Sequence, residues 1–543
     1  MMKKENAAQE YYIKQNYMKK SLSTGINVLC IVIFFLTVFS CGKDDDSDAG
    51  QSTNEDDHSY VKSSEKRITD FSFEPIVNTG LTGMHHGYFN NDSSTITIAT
   101  QLWINNIEAL KPSFKAVGVV TVNNVEQRSS VSAQNFTKEV VYVVTAEDGS
   151  TRSYTVVFES PQASGLPVIK IDTEERKSIE NKFDYINANV EVCDYDNKAH
   201  CLKATAGIRG RGNSTWHMPK KPYRLKFDEK TSLFGLPKEK SWVLLANYQD
   251  PTAIMNSVAF ELGHRFGLPY TNHDKHVELF LNGAYQGSYT LTEQVQVKSG
   301  RVNISETEGF LVEIDQYYDE EPKFRTNILS LPVMIKSPSL EDYPSLNLNF
   351  VREAINELEY AMFDEAGGFP DNNYKELIDI DNVIDFIMIN ELMRNVEVKH
   401  PKSIFMYKDK NERIKFGPLW DFDWVFGYED GWSIYFHMSR AGTVLMRPFY
   451  TWDGNIGHKF FCRFFDDPEF CKKYKARWKE LYASQISTMN KFMTEMGNKL
   501  EISQKQNSIL WGHKNYQAEI RGMISFWDER IKLLNNQIND YDK

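Results

Sequence analysis

Between residues 66 and 160 the apolar residues fall in short β-branched runs, whereas from about Asp453 they recur at helical spacing over long stretches. A period-two face and a 3.6-residue face cannot be exchanged, so the change of period divides the chain into different kinds of structure. Thr95–Thr100, Ala116–Val122 and Val140–Thr145 carry the strand pattern, and Glu147-Asp148-Gly149-Ser150 ahead of Arg152–Phe158 has the composition of a hairpin turn. This spacing predicts a small all-β sandwich over residues 66–160. At 543 residues the chain also exceeds the roughly 250–300 at which one core stops growing.

A Pro/Gly/Ser segment, Pro161–Pro167, separates that region from a mixed pattern over residues 168–543. Strands are predicted at Val168–Ile171, Tyr223–Phe227, Trp242–Leu245 and His276–Leu281, with Asn282-Gly283 as a hairpin turn into the next apolar run. Helical patterns occupy Asp250–Phe266, Leu348–Phe363 and Ile378–Leu392 and dominate after Asp453. The expected class is α+β, with a strand-rich front and a helical back.

The first 41 residues read as a signal rather than as part of the fold. Lys14, Lys19 and Lys20 precede the apolar run Ile26–Phe39, which is short of the ~20 residues that cross a bilayer comfortably. Val38-Phe39-Ser40-Cys41 resembles a bacterial lipobox, which implies a lipid on Cys41 as the membrane anchor. Residues 42–65 are acidic and Ser-rich, as a flexible tether would be. Lys43-Asp44-Asp45-Asp46 resembles the surface-export signal of Bacteroidetes lipoproteins and implies an outer-membrane, cell-surface location. The net charge of −12 argues against nucleic acid as a partner. Beyond Cys30 and Cys41, the cysteines form two short-range pairs, Cys193 with Cys201 and Cys462 with Cys471. Neither has zinc spacing, so disulfides are expected ahead of metal, with free thiols as the alternative.

The chain has no Gly-x-Ser-x-Gly, His-Glu-x-x-His or Walker sequence. Instead Gly207–Trp216 alternates Gly and Arg, then leads through Lys220-Lys221 into Tyr223-Arg224-Leu225-Lys226-Phe227, a strand with one apolar and one cationic face. Such a loop and strand suit an anion like polyphosphate. In Trp420-Asp421-Phe422-Asp423-Trp424 two carboxylates at i and i+2 sit among large apolar residues, which suits a hard cation such as Mg²⁺ held against phosphates. Asn390-Glu391, Asn395, Glu397 and Lys402 cluster polar groups at a helix-to-strand junction. Glu293 ends a hairpin strand, with Glu313, Asp315 and Lys336 further on.

Taken in order, these segments resemble the CotH (spore-coat protein H type) kinase family. The likeness is carried by Arg211-Gly212-Asn213-Ser214-Thr215, Lys220–Phe227, Trp242–Asp250, the Leu281–Glu293 hairpin and Trp420–Asp423, and spans Val168 to Asp453. It implies an atypical protein-kinase-like domain that transfers phosphate from ATP to protein hydroxyl groups with Mg²⁺ or Mn²⁺. By position, Asp421 and Asp423 would bind the metal, while Arg211, Lys221 and Lys226 would neutralise the phosphates. Glu293 would partner a phosphate-binding Lys, and Glu397 would align the acceptor. Two positions depart from the family pattern: Glu397 stands where many members carry Asp, and Met255 where Arg is usual. Residues 66–160 likewise resemble the immunoglobulin-like modules of Bacteroidetes surface lipoproteins. The competing reading is a surface binding or adhesion lipoprotein, for a protein or glycan partner, in which aromatics such as Trp432, Tyr435 and Phe436 would stack on the ligand. Metal-dependent hydrolysis of phosphate or glycan through the same acids is a third reading.

Overall fold

The computed structural model describes residues 62–539 apart from 80, 82–84, 90–93, 100–106, 160–163, 195–200, 429–434, 437–453 and 513–514. The expected signal peptide, Cys41, most of the tether and Trp432 therefore lie outside the described residues. The chain divides into Met1–Lys62 and Ser63–Lys543, and every element named below lies in the second.

The β-branched runs form Arg67–Phe73 (β1), His85–Phe89 (β2), Thr95–Ala99 (β3), Ser113–Val117 (β4), Val119–Val122 (β5), Val125–Glu126 (β6), Val140–Thr145 (β7) and Thr151–Glu159 (β8). They pair in the order β4-β1-β2-β3-β8-β7-β5-β6. β1 and β7 are not neighbours in that order, yet the Phe71 and Tyr142 rings meet edge to face at 5.2 Å. The ribbon of strands therefore closes over itself as two layers around one core. Alternation decides the faces: Val140, Tyr142 and Val144 are buried, while Val141 on the opposite face is exposed.

Val168–Thr173 (β9), Ile186–Cys193 (β10), Leu202–Gly210 (β11), Tyr223–Thr231 (β12), Glu239–Leu245 (β13), Asp274–Leu281 (β14) and Ala284–Glu293 (β15) make a closed barrel. β14 and β9 close it in parallel, with Glu278 opposite Val168. The Asn-Gly turn forms as its sequence predicts, because Asn282 and Gly283 both adopt positive φ (52° and 82°) between antiparallel β14 and β15. The interior is filled by Ile169, Ile171, Val190, Ile208, Leu225, Phe227, Trp242, Leu244, Val277 and Leu291. Each buried side chain of this kind contributes roughly 1.5–3 kcal/mol through removal of apolar surface from water. With Tyr223, Leu225 and Phe227 inside, Arg224 and Lys226 must point out of the barrel.

A second sheet follows, with Phe310–Ile314 (β16), Lys323–Arg325 (β17), Pro332–Ser337 (β18), Ile404–Lys408 (β19) and Lys415–Phe416 (β20) in the order β17-β18-β16-β19-β20. The Ile380–Met393 helix is buried all round except at Asp381. Such a helix must be enclosed by other elements, here including the helices Pro468–Leu481 and Tyr516–Asn539. Arg477 fixes the first of these contacts with two bonds to Asp385, at 2.9 and 3.0 Å. Asp467 caps the Pro468–Leu481 helix by accepting from the Glu469 N–H (2.8 Å), with Pro468 in its first turn.

Cys193 and Cys201 form a disulfide joining the end of β10 to the start of β11. Cys462 and Cys471 do not pair. They are separate buried thiols, one at the end of the Ile456–Cys462 helix and one inside the Pro468–Leu481 helix. The Cys471 thiol donates instead to the Phe465 carbonyl (3.3 Å), within a cluster of aromatic rings.

Candidate active site

A cleft of about 640 Å³ lies between the open end of the barrel and the second sheet. The barrel supplies a basic wall. Arg209 on β11 and Arg224 on β12 are directly opposite in the strand register, and Arg211 follows in the loop. Two glycines hold that loop tight: Gly212 has φ 82°, and a Cβ on Gly210 would run into the Trp216 ring. Arg211 lies over the Trp420 ring, 5.3 Å from its centre. Burial depresses its pKa, a pull opposed by the charges of Asp421 and Asp423. Burial lowers Arg224 in the same way, with Arg209 adding like-charge repulsion. The Nε donors of both Arg209 and Arg224 are buried without a hydrogen-bond partner. Both side chains line the cleft, Arg209 with its Nη1 on the Lys182 carbonyl, and guanidinium groups at a polar cavity are candidate anion positions.

The second sheet and its loops supply the acidic wall. Asp421 stands exposed at a backbone φ of 65° and accepts from the Ser403 hydroxyl (3.2 Å). Asp423 lies deeper, with Oδ1 bonded to the Asn256 amide. Burial, then the neighbouring Asp421 and Asp250 charges, push the Asp423 carboxyl up to about 8. Glu397 follows the Ile380–Met393 helix and is paired with Lys402 at 3.1 Å. Burial and Asp421 raise it to about 7. Buried Asp315 accepts from the Tyr317 (2.7 Å) and Ser403 (2.9 Å) N–H groups, so it fixes the backbone beneath Asp421. Glu313, raised to about 7 by burial, pairs with Lys336 at 3.2 Å.

Carboxyls raised by burial and mutual repulsion, as Asp423 and Glu397 are, could hold a cation. Asp421, Asp423 and Glu397 repel one another in a partly desolvated pocket, and a dication among them would reverse that cost. Mg²⁺ commonly takes one or two protein carboxylates and completes its shell with water and phosphate oxygens, which fits an Asp pair opposite an arginine wall. A tighter grouping of potential ligands, Glu191 with Cys193 and Cys201, has its sulfurs committed to the disulfide.

A model of the CotH kinase protein family matches residues 208–534, from β11 into the last helix. The chain belongs to the CotH kinase family. The match covers β12 to β15 of the barrel, the second sheet and most of the helical part, and leaves out β9, β10 and most of β11. A second model, described as SGBP, N-terminal, matches residues 69–157, within the eight-stranded β region. No curated protein matches the chain.

Of the residues that the resemblance to CotH kinases singled out, the structure brings Arg211, Glu397, Asp421 and Asp423 together in the cleft. Three others lie outside its lining. Lys226 is exposed opposite Gly207 and Ser241, two residues along β12 from Arg224, so the cationic face of the strand runs away from the site. Lys221 turns back to its own loop, donating to the Trp216 carbonyl (2.7 Å). Glu293 is buried with both oxygens on His273, 2.9 Å from Nδ1 and 2.8 Å from the backbone N–H, and pairs with no lysine among the described residues. Alternation along the chain gives the cleft Gln294 instead. Arg209, Arg224, Lys402 and Ser403 are among the cleft residues that the motif left unassigned. The signal for Arg209 and Arg224 was the two-residue alternation of cations in β11 and β12, which gives the face but not its position along the strand. Tyr435 and Phe436 are structural: the Tyr435 hydroxyl donates to the Asp423 carbonyl (2.9 Å), and Phe436 packs on Phe426.

Proposed function

We propose that this cleft transfers the γ-phosphoryl group of ATP to a hydroxyl group of a protein acceptor. The observation that carries the reading is that Arg209, Arg211 and Arg224 line the same cleft as the Asp421/Asp423 pair. Arg209, Arg211 and Arg224 hold the phosphates and offset charge spreading over the transferred group. Asp421 and Asp423 hold Mg²⁺ or Mn²⁺, which when bound neutralises phosphate oxygens. Glu397, with a carboxyl near 7, is suited to take the acceptor proton at neutral pH, and Lys402 restrains its orientation. Its extra methylene relative to Asp reaches further into the cleft. The chain is proposed to work outside the cytoplasm, anchored to the outer membrane through a lipid on Cys41. The eight-stranded β region would act as a spacer.

Thermal unfolding with and without Mg²⁺–ATP tests the reading. Ligand at 100 times its dissociation constant adds about 2.7 kcal/mol, which raises the melting temperature by a few degrees in a chain of this size. Asp421→Asn, which keeps a residue type tolerant of the left-handed backbone, should abolish the Mg²⁺-dependent part. Absence of any shift at millimolar nucleotide would overturn phosphotransfer and leave the binding-lipoprotein reading.

A further inference from the structure

We propose that Asn256 is the positioning residue of the cation site, setting the angle at which Asp423 meets its ion; this rests on the phosphotransfer reading of the same cleft. Asn256 is 4% exposed, and both ends of its amide are used on one turn, more than 160 residues away in sequence. Its Nδ2 donates to Asp423 Oδ1, and its Oδ1 accepts from the Phe422 N–H at 2.9 Å. One side chain therefore fixes the carboxylate and the backbone that presents it. Asp423 Oδ2 has no hydrogen-bond partner among the described residues and is the oxygen left for a cation.

The turn needs such a hold. Asp421 lies in the left-handed region, which a residue with a Cβ adopts at a cost, and its charge repels Asp423. A neutral amide can bond a carboxylate without competing for the cation as a lysine or arginine would.

The anchor of Asn256 is itself buried. Asp250 accepts from the Met255 N–H (2.8 Å), the Thr252 N–H (2.8 Å) and the Thr252 hydroxyl (2.6 Å), which fixes the first turn of the Met255–Phe266 helix. Met255, the neighbour that departs from the family pattern, is fully buried in the apolar core, with its N–H held by Asp250. The helix start is a rigid arm with Asn256 as its tip.

The test is the Mg²⁺ concentration that gives half of the ATP-dependent rise in melting temperature, measured for the full chain, Asn256→Ala, Asn256→Ser and Met255→Leu. Removing a group that hydrogen-bonds to a metal ligand typically weakens metal affinity by about 10–100-fold. Asn256→Ala should raise the half-saturating Mg²⁺ at least ~10-fold, with a smaller rise for Asn256→Ser, which can keep one bond. Met255→Leu should lower the ligand-free melting temperature and leave the Mg²⁺ requirement unchanged. An Mg²⁺ requirement within about twofold of the parent in both Asn256 variants would overturn the proposal. Loss of cooperative melting in both would overturn it too, making the amide a fold-holding group. A parent chain without any Mg²⁺-dependent ATP response fails the phosphotransfer reading itself, and this inference falls with it.

Discussion

Arg530 and Glu391 meet at 2.8 Å across 139 residues of sequence, and neither is more than 1% exposed. The guanidinium also donates through Nε to the Glu391 carbonyl at 2.9 Å. The last helix is thereby bound to the end of the buried Ile380–Met393 helix, just before the polar junction that carries Glu397. Removing one partner of such a buried pair leaves an uncompensated charge, at a cost of about 3–5 kcal/mol. Arg530→Leu should destabilise the chain by about that amount in urea unfolding. Arg530→Met with Glu391→Leu should recover most of the loss, which separates the charge penalty from lost packing.

Arg224 and Lys226 share a strand face but not an environment. Arg224 lines the cleft with an unsatisfied Nε, while Lys226 is exposed beyond it. Hydrogen bonds to charged groups contribute about 1.5–3 kcal/mol, so Arg224→Met should weaken Mg²⁺–ATP binding by at least ~10-fold in calorimetry. Lys226→Met should change it by less than about twofold, consistent with the low worth of exposed charges. Equal losses at both positions would place the phosphates on the strand face and not in the cleft.

His276 gives the pH dependence a defined sign. The ring is buried between the Ser257 hydroxyl (3.0 Å from Nε2) and the Thr290 hydroxyl (3.3 Å from Nδ1), and burial drops its pKa from the ordinary 6.5 to about 3. Between those values the unfolded chain binds a proton that the folded chain refuses. Its contribution to stability is therefore complete above pH 6.5 and is lost as pH falls towards 3. The variant His276→Gln should show a shallower decline across that window. Comparing the two chains cancels the opposing slope from the raised carboxyls of the cleft.

The thiols offer a simple chemical check. Cys462 and Cys471 should resist a thiol reagent in the native chain and both react in denaturant without reduction. Cys193 and Cys201 should react only after reduction. Cutting their bond reopens a short loop and should cost about 2–3 kcal/mol.

Sequence pattern carried the fold further than it carried the site. Period-two runs placed β7, β8, β12 and the β14–β15 hairpin, because strand faces and Asn-Gly turns are local properties. The Asp-x-Asp segment was legible for a similar reason: two acids among tryptophans and phenylalanines need a partner wherever they fold. What the sequence hid was where each strand begins relative to the cleft. That offset, of two residues, is what separates Arg224 from Lys226. Glu293 was hidden by rotation, since its neighbour Gln294 takes the cleft-facing place. Cys462 and Cys471 are close in sequence, but each belongs to a helix whose packing against aromatic rings holds its sulfur in place.

The left-handed backbone at Asp421 bears on how this chain can be told from its relatives. Glycine would hold the same turn with less strain and without a charge beside Asp423. A lineage that kept the architecture for adhesion alone would gain from that replacement, at the loss of the bond from the Ser403 hydroxyl. If the cleft binds an ion as proposed, a carboxylate and not glycine should fill this single column when relatives are compared.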